Sequence, residues 1–278
     1  TSYSWGLPSI SGGVSGAQNE TGEVSFFATL HNLTNSNQNA VYSVIPNTIH
    51  QCVGDTFNIS IAIKPIPTIT SIIDTICSAH NFSVDPSNYL SNIVPSGTLY
   101  DWHSPSVTVG LTGGNADSNQ VVISGILNNN SNVTQNAIYT VTPTSSEMCT
   151  GIPFNINMFV NPNPFISDIT DTVCNGIPFD YLPINGQSGN IVPINTTYSW
   201  GIPNTTGFLS GGVASSSQNQ INGVLNNSSN NVQMATYTVL TTTMEGCQGN
   251  NFIYQIVVNP TSNLMFTGND HICSGDTA

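Results

Sequence analysis

The feature that most constrains this chain is an internal repeat with a period of about 97 residues. Three residue types recur at intervals of 97 and then 98 residues: Trp5, Trp102 and Trp200; Tyr42, Tyr139 and Tyr237; and Cys52, Cys149 and Cys247. The Trp of each unit precedes its Cys by 47 residues. A unit of this length fits one compact domain better than a solenoid repeat. The chain is therefore predicted to be an array of similar domains.

Alternating apolar and polar residues predict β-strands throughout each unit. The segment that ends the first unit has apolar side chains at every second position, at Phe57, Ile59, Ile61 and Ile63. Such alternation places one face of a strand against a core and the other in water. No stretch combines a 3.6-residue period with helix caps. The pattern predicts an all-β chain of tandem immunoglobulin-like β-sandwich domains, with the recurring Trp and Tyr residues as core.

Composition excludes some partners. Charged residues make up only 5% of the chain, and its formal net charge of -13 arises from 14 acids against one base, Lys64. Binding a nucleic-acid backbone needs clustered Lys or Arg, so no nucleic-acid partner is expected. No apolar run reaches the roughly 18 residues of a membrane span, so we expect no membrane insertion within this sequence.

A pair of prolines or a single proline follows the last strand of each unit, and a new apolar segment begins directly after it. These junctions are taken as domain boundaries. The predicted domains are a partial sandwich that lacks its first strands at residues 1–64, complete sandwiches at 65–161 and 162–259, and the first strand of a further repeat at 260–278. Proline restricts the backbone, so such short junctions are expected to be semi-rigid.

The six cysteines occupy a turn near the start and a turn near the end of the repeat. We expect these two turns to meet at one end of a sandwich. The predicted disulfides are Cys77 with Cys149 and Cys174 with Cys247, while Cys52 and Cys273 are half-cystines with partners outside the chain. An alternative that joins sequence neighbours would span about 30 Å, against a Cα limit of about 7 Å for a disulfide. Free buried thiols are the other alternative; disulfides would imply an oxidising compartment.

The order of motifs resembles a known family. Each unit contains Tyr-x-Trp, a Gly-Gly loop, Ala-x-Tyr-x-Val, Cys-x-Gly-x-x-Phe and a last strand that runs into proline. This succession resembles the PKD-like repeats of very large surface proteins of Bacteroidota, including the giant adhesins of gliding motility. The resemblance covers essentially the whole chain. It implies a filamentous adhesin that is exported by the type IX secretion system and displayed outside a Gram-negative cell.

Two further kinds of site are suggested by recurring residues near the cysteines. A weak calcium site at the disulfide end would use Asp74 with Glu147 and Asp171 with Glu245, since calcium prefers oxygen ligands. Capping of a turn by the Asp carboxylate is the alternative. Thr75 and Thr172 follow an Asp and precede an apolar residue, which is similar to the O-glycosylation motif of Bacteroidota; ordinary strand sequence explains them as well.

No catalytic constellation is found, because the five histidines fall at non-equivalent positions without a recurring nucleophile. We therefore predict no enzyme activity and no cofactor other than calcium. The favoured function is a structural and adhesive segment of a surface filament, with neighbouring repeats, lateral copies or surface glycans as partners. The alternatives are a glycan-binding module, with Tyr89, Tyr181 and Phe208 as candidate aromatics, and a spacer in a secreted hydrolase.

Overall fold

The computed structural model describes residues 1–50, 52–262 and 274. These residues form three successive β-sandwiches, which confirms the predicted all-β fold of immunoglobulin-like domains. The chain divides into two compact units, Thr1–Pro162 with two sandwiches and Asn163–Ala278 with one. No helix of the described residues is long and apolar enough to cross a membrane.

The first sandwich has one main sheet and one small one. Its strands are β1 (Ser2–Trp5), β2 (Ser9–Ile10), β3 (Val14–Ser15), β4 (Glu20–Glu23), β5 (His31–Asn32), β6 (Gln38–Asn47) and β7 (Phe57–Ile63). The main sheet has the order β4-β1-β6-β7, with β2 also paired to β6. The pair β3 and β5 forms the small sheet.

The second sandwich has two sheets that enclose a core. Its elements are β8 (Ile72–Cys77), β9 (Asn81–Val84), a 3-10 turn (Pro86–Asn88), β10 (Leu99–Trp102), β11 (Ser106–Val107), β12 (Leu111–Gly113), β13 (Asp117–Gln120), β14 (Ile123–Asn129), β15 (Gln135–Thr144) and β16 (Phe154–Asn161). One sheet has the order β13-β10-β15-β16-β8, with β11 on β15, and the other has the order β12-β14-β9.

The third sandwich repeats this arrangement. Its elements are β17 (Ile169–Cys174), β18 (Pro178–Tyr181), a 3-10 turn (Gln187–Gly189), β19 (Thr197–Trp200), β20 (Asn204–Thr205), β21 (Leu209–Ser210), β22 (Ser215–Gln218), β23 (Ile221–Val224), β24 (Asn226–Asn227), β25 (Gln233–Thr242) and β26 (Phe252–Asn259). The main sheet has the order β17-β26-β25-β19-β22, and two short pairs, β18 with β23 and β21 with β24, lie apart from it.

The first and last strands of each complete sandwich are paired in parallel. Ile72 lies opposite Ile156, and Cys77 lies opposite Asn161, so β8 and β16 run in the same direction. The same register joins β17 to β26. The chain therefore enters each complete sandwich beside the start of the last strand, and it leaves the sandwich at the end of that strand.

The recurring aromatic residues form the centre of each core. Trp5, Trp102 and Trp200 are between 4 and 6% exposed, and the three tyrosines 42, 139 and 237 are at most 2% exposed. The indole of Trp102 donates to the backbone oxygen of Asn115 at 3.0 Å, so its one polar group is satisfied. Burying such a ring removes 150–250 Å² of mostly apolar surface from water, a large stabilising term.

In the second sandwich the Gly-Gly loop leaves room for the buried tyrosine. Gly113 has a φ of +92°, and a Cβ there would lie 2.5 Å from the backbone oxygen of Ile126. A Cβ on Gly114 would lie 2.5 Å from the hydroxyl oxygen of Tyr139. Only glycine meets both the conformational and the steric demand at these positions.

The middle residue of Tyr-x-Trp supports a β-bulge in the neighbouring strand. The register shifts between Tyr100 and Trp102, where β13 carries an extra residue. That residue, Asn119, has a φ of 56°, and its amide donates to Asp101 Oδ1 at 2.7 Å. In the third sandwich a serine accepts the equivalent bond. The motif therefore specifies a bulge as well as a core aromatic.

Candidate functional site

The turn before the last strand presents a cysteine in the same way in each repeat. In the second sandwich the amide of Ser145 donates to the carbonyl oxygen of Cys149 at 3.0 Å, and the amide of Cys149 donates to Ser145 Oγ at 3.2 Å. Thr243 and Cys247 repeat both bonds at 2.9 and 3.1 Å. We call this segment the closing turn; it lies where the last strand begins.

The cysteine of the opening strand lies at the other end of the sheet. Cys77 is the final residue of β8 and faces Asn161, the final residue of β16. Cys174 faces Asn259 in the same way. Seven residues of strand separate the Phe154 end of β16 from Asn161, about 23 Å at the usual rise. The two cysteines of one sandwich are therefore at opposite ends.

The predicted disulfides are wrong. Cys77 and Cys247 each belong to a disulfide, whereas Cys149, Cys174 and Cys52 carry free thiols. Each predicted pair thus combines a bonded cysteine with a free one. The error came from placing the first and last turns at one end; a first strand parallel to the last one places them at opposite ends, beyond the reach of a disulfide.

Cys273, the other predicted half-cystine, lies outside the described residues, and no structural statement is made about it. For Cys52, a partner outside the chain stays a prediction. Its thiol is exposed in the closing turn of the first sandwich.

The acidic pairs predicted to bind calcium are not brought together. Asp74 lies opposite Met158 in the middle of the sheet, and its Oδ1 accepts the amide of Thr75 at 2.7 Å. Glu147 lies in the closing turn and binds Lys64 instead. Among the described residues no group of three or more His, Cys, Asp or Glu is placed to hold a metal ion.

The third sandwich separates its acids in the same way. Asp171 lies opposite Ile256 in the middle of β26, whereas Glu245 lies in the closing turn. The two oxygens of Asp171 accept the amide of Thr172 at 2.7 Å and the hydroxyl of Tyr254 at 3.4 Å. The capping alternative describes this carboxylate better than a calcium ligand does.

Thr75 and Thr172, the predicted O-glycosylation sites, occupy edge strands. Both side chains are exposed, and β8 and β17 each have a neighbouring strand on one side only. A glycan on either hydroxyl would extend into solvent. Modification of these residues stays a prediction.

One ion pair joins the first and second sandwiches. Lys64 Nζ lies 3.0 Å from Glu147 Oε2, and both side chains are nearly half exposed. The hydrogen bond between them raises the pKa of Lys64 and lowers the pKa of Glu147. The side chain of Asn37, in the first sandwich, makes a smaller contribution to the lowered pKa of Glu147. The closing turn of one repeat thus contacts the end of the preceding one.

The linker is attached to the sandwich that follows it. Thr68 and Ile93 exchange two backbone hydrogen bonds of 2.9 and 2.8 Å. A Cβ on Gly151, in the Cys-x-Gly motif, would collide with the backbone oxygen of Pro67, and a Cβ on Gly249 with that of Pro164. The glycine of this motif therefore allows the closing turn to lie directly against the linker.

An asparagine that sequence reasoning missed holds the last strand in all three repeats; it is buried in the second and third repeats and half-buried in the first. Asn129 Nδ2 donates to the carbonyl oxygens of Val133 at 2.8 Å and Val160 at 2.7 Å. Its Oδ1 accepts the amide and the hydroxyl of Ser131 at 2.9 and 2.7 Å. We call this arrangement the asparagine hub. Asn32 and Asn227 form the equivalent bonds.

The hub could have been found from its spacing. Asn32, Asn129 and Asn227 repeat at 97 and 98 residues, as the Trp residues do, but the many other asparagines of the chain conceal the repetition. Each of the three also begins an Asn-x-Ser/Thr sequence. The side chains of these asparagines make internal hydrogen bonds, so the three sequences stabilise a turn.

Burial perturbs the tyrosines of the complete sandwiches. Burial raises the pKa of Tyr139 to about 12. Burial, with a smaller contribution from the charge of Tyr181, raises the pKa of Tyr198 to about 12. The hydroxyls of Tyr100 and Tyr139 have no hydrogen-bond partner among the described residues. These groups favour the neutral form because ionisation would bury a charge.

A shallow groove beside the tryptophan recurs in two repeats, but its chemistry does not. In the second sandwich the groove has a volume of about 470 Å³ and is lined by Asp101, His103 and Asp117. In the third sandwich it has a volume of about 590 Å³ and is lined by Ser199 and Ser215 at the corresponding places. The buried indoles offer no stacking surface to a ligand.

Comparison with solved structures gives distant likenesses. Human CDH23 EC21-23 is 12% identical with a TM-score of 0.28, and covers 92% of this chain and 88% of that chain. The endo-fucoidan hydrolase MfFcnA4 of glycoside hydrolase family 107 is 11% identical with a TM-score of 0.25, and covers 95% of this chain. This chain spans 39% of that enzyme. These likenesses are too low to bear on function.

A third likeness is to BT4661 of Bacteroides thetaiotaomicron, a SusE-like polysaccharide-binding protein, at 6% identity and a TM-score of 0.26, covering 90% of this chain and 55% of that chain. No curated protein matches the chain in sequence. The PKD-like domain family matches residues 1–67, 74–164 and 171–262. These three matches take in nearly all of the chain and coincide with the three sandwiches, so the chain belongs to the family of PKD-like domains.

Proposed function

We propose that this chain is a structural and adhesive segment of a long cell-surface filament, in which the repeats supply length and resistance to pulling. The observation that carries the proposal is the parallel pairing of first and last strands. Six register pairs join β8 to β16, from Ile72 with Ile156 to Cys77 with Asn161. Six more join β17 to β26.

This pairing determines how a repeat responds to tension. The chain enters beside the start of the last strand and leaves at its end, so a pull on both termini slides the two strands along each other. All the hydrogen bonds of the ladder must then break together, instead of one after another as in unzipping. Forced unfolding is governed by the unfolding rate, which such a barrier lowers.

The chemistry of the chain agrees with an extracellular location. Cys77 and Cys247 each belong to a disulfide, and disulfides persist in oxidising compartments. A surface of amides and hydroxyls with 5% charged residues makes contacts that depend little on salt. Display on a Gram-negative cell, export by the type IX system and a part in gliding motility belong to the proposal through the family resemblance.

Adhesion in this proposal is weak and multivalent. Neighbouring repeats, lateral copies of the filament or surface glycans would supply many small contacts whose effects multiply. Calcium, if it takes part, would bind Asp74 or Asp171 separately from the glutamates of the closing turns.

The candidate aromatic residues support neither alternative function, a glycan-binding module or a spacer in a secreted hydrolase. The ring of Tyr181 lies 5.2 Å from that of Tyr254, inside the sandwich. Tyr89 and Phe208 are 40% and 75% exposed, but they belong to different repeats at different positions. A sugar-binding platform needs neighbouring exposed rings, and a spacer role in a hydrolase rests on no residue described here.

Single-molecule pulling on the whole chain, with handles at both termini, tests the load-bearing role. We expect the second and third sandwiches to unfold at higher force than the first, whose β7 has no parallel partner among the described residues. If all three sandwiches yield at the same low force, the proposal fails.

A matched variant tests whether the unfolding force depends on the hydrogen bonds between β8 and β16 and not on overall stability. The amide of Thr75 donates to Asp74 Oδ1, and successive amides of a strand point to opposite sides, so Asp74→Pro removes a donor on the side of β16 and Thr75→Pro is its control. In Asp74→Pro the unfolding force of the second sandwich should fall while that of the third, in the same molecule, stays unchanged. An unaltered force in the second sandwich would contradict the proposal even if the variant lowered equilibrium stability.

A further inference from the structure

The third sandwich contains a contact between two tyrosines that the second sandwich lacks. The ring centroids of Tyr181, at the end of β18, and Tyr254, in β26, lie 5.2 Å apart, and their planes make an angle of 41°. Val84 and Ile156 hold the same register positions in the second sandwich. Because β18 lies outside the sheet that contains β26, the contact between the tyrosines lies between the two layers of the sandwich.

Elsewhere in the described part of the chain, the ring contacts of tyrosines are with phenylalanine. In the second sandwich Tyr139 lies 5.5 Å from Phe82, and Tyr100 lies 6.4 Å from Phe154. A pair of aromatic rings is stabilised whether or not the rings carry hydroxyls. Core packing alone therefore does not require two phenols at the contact in the third sandwich.

The two tyrosines of this pair differ in their access to solvent. Tyr181 is half-buried, whereas Tyr254 is 0% exposed. The hydroxyl of Tyr254 donates to Asp171 Oδ2 at 3.4 Å. A small reagent in solution can therefore reach the ring of Tyr181 directly, but it can reach Tyr254 only through its neighbours.

Asp171 places a proton acceptor at the buried phenol. Burial, with smaller contributions from Asp171, raises the pKa of Tyr254, so this phenol keeps its proton under ordinary conditions. A phenol that loses an electron becomes a strong acid, and the carboxylate is in position to take the proton. The other oxygen of Asp171 accepts the amide of Thr172 at 2.7 Å, which holds the carboxylate in place.

We propose that Tyr181 and Tyr254 form an oxidative crosslinking site, at which a one-electron oxidant from the surroundings converts the pair into dityrosine. The oxidant takes an electron from Tyr181, whose proton goes to water. The radical on Tyr181 then takes an electron from Tyr254 and a proton from water. The phenolic proton of Tyr254 passes to Asp171 Oδ2.

A second equivalent of the oxidant oxidises Tyr181 again, and the two phenoxyl radicals couple. A carbon–carbon bond forms between the two ring carbons that neighbour the hydroxyl-bearing carbons. The hydrogen on each of these carbons moves to the phenol oxygen of its ring, and Asp171 releases its proton to water. The pair loses two protons and two electrons in total, and two equivalents of the oxidant are reduced.

The crosslink ties β18 to the last strand of the sandwich and closes residues 182–253 in a loop. It goes beyond the load-bearing role and does not depend on it, because the bond forms in the absence of tension. A carbon–carbon bond also survives reducing agents, which open disulfides. The site is specific to the third sandwich, since the second has Val84 and Ile156 at the corresponding places.

Oxidation of the intact chain at low concentration tests the site. The probe is photogenerated tris(bipyridine)ruthenium(III), a one-electron oxidant; dityrosine fluorescence measures the yield, and mass mapping of a peptic digest locates the link. We expect two peptides joined through Tyr181 and Tyr254 that have lost two hydrogens. Tyr181→Phe keeps the ring and should lower the yield about tenfold, because it removes the pair that is already in contact. Equal yields, or a link between other tyrosines in the wild type, would refute the site.

A matched pair of variants tests the proton acceptor. Asp171→Asn keeps an oxygen that accepts hydrogen bonds but takes up no proton, so the yield should fall about tenfold. Asp74→Asn makes the same change in the second sandwich and should leave the yield unchanged. Equal yields in Asp171→Asn and the wild type would overturn the transfer of the proton to Asp171.

Single-molecule pulling in a reducing buffer gives a readout that is independent of fluorescence. After oxidation the third sandwich should extend by about 240 Å less on unfolding, because residues 182–253 remain closed in the loop. The extension of the second sandwich, in the same molecule, should not change. An unchanged extension of the third sandwich after oxidation would show that the crosslink does not form.

Discussion

The first and second sandwiches share a framework but differ in how much of it is covered. Both have the buried Trp, the buried Tyr and the asparagine hub, yet the second has 16 buried core residues and the first has five. The difference arises from the opening strands, which the second sandwich contains and the described part of the first does not. The recurring residues thus establish the fold, while the opening strands complete the core.

The largest effect in this comparison is expected at the asparagine hub. Asn129→Ala removes four hydrogen bonds and leaves the carbonyl oxygen of Val160 buried without a donor, so it should cost the second sandwich about 3 kcal/mol. Asn32→Ala should cost about 1 kcal/mol, because Asn32 is only half-buried and water can replace its bonds. Hydrogen exchange in β15 and β6 during urea unfolding measures the stability loss of each sandwich. Equal losses for Asn129→Ala and Asn32→Ala would contradict the difference in burial between the two hubs.

The next effect concerns the glycine of Cys-x-Gly. Gly151→Ala places a methyl group against the backbone oxygen of Pro67, which cannot move freely, and should cost about 2 kcal/mol. At Gly54 a Cβ would lie 3.0 Å from the Cγ of Pro46, so Gly54→Ala should cost less. Thermal unfolding of the two variants shows which substitution destabilises more. A smaller loss for Gly151→Ala than for Gly54→Ala would contradict the close contact between Gly151 and Pro67.

Tyr139→Phe is expected to stabilise the second sandwich by up to about 1 kcal/mol, because it removes a buried hydroxyl that has no partner. The variant should also resist alkali. The pKa of Tyr139 is about 12 in the folded chain against 10.0 for the free side chain, so this group's contribution is complete below pH 10 and is lost as the pH rises towards 12.

Tyrosinate absorbance and circular dichroism, recorded from pH 10.0 to about pH 12, measure the pH at which each protein unfolds. Wild type should unfold at lower pH than Tyr139→Phe. Tyr42→Phe is the matched change in the first sandwich, where burial also raises the pKa. An unchanged midpoint in Tyr139→Phe would show that ionisation of this residue is not what opens the second sandwich.

The smallest effect is expected at the ion pair between the two sandwiches. Lys64→Met should reduce stability only slightly at low salt and by almost nothing at high salt, because the pair is exposed and screened. Glu245→Gln provides the control, since Glu245 occupies the same turn with no ion-pair partner among the described residues. Urea unfolding at two salt concentrations measures the stability loss of each variant. A loss in Lys64→Met that does not change with salt would argue for a packing role of Lys64.

The strands and the core could be predicted from the sequence because alternation and spacing report directly on burial. Phe154 and Met158 are buried where the period of two places them. The same period is shared by parallel and antiparallel strands, so it carries no information on the direction of β8 relative to β16. The error in the disulfides follows from that ambiguity alone.

The missed residues were concealed in a different way. The asparagine hub was lost among many other asparagines, although its spacing equals that of Trp102 and Trp200. The ion pair of Lys64 joins residues 83 positions apart on different repeats, and no local pattern announces it. Features that repeat can be recovered from one sequence, whereas contacts made once require the fold.

The hub also has a consequence for making this protein in a eukaryotic secretory pathway. Oligosaccharyltransferase acts on unfolded chains, and Asn32, Asn129 and Asn227 each lie in an acceptor sequence. A sugar attached to Asn129 would occupy the nitrogen that must reach Val160. Glycosylation and folding would then compete for the same amide group, and secreted material would divide into folded chains without sugar there and modified chains unable to close their last strand.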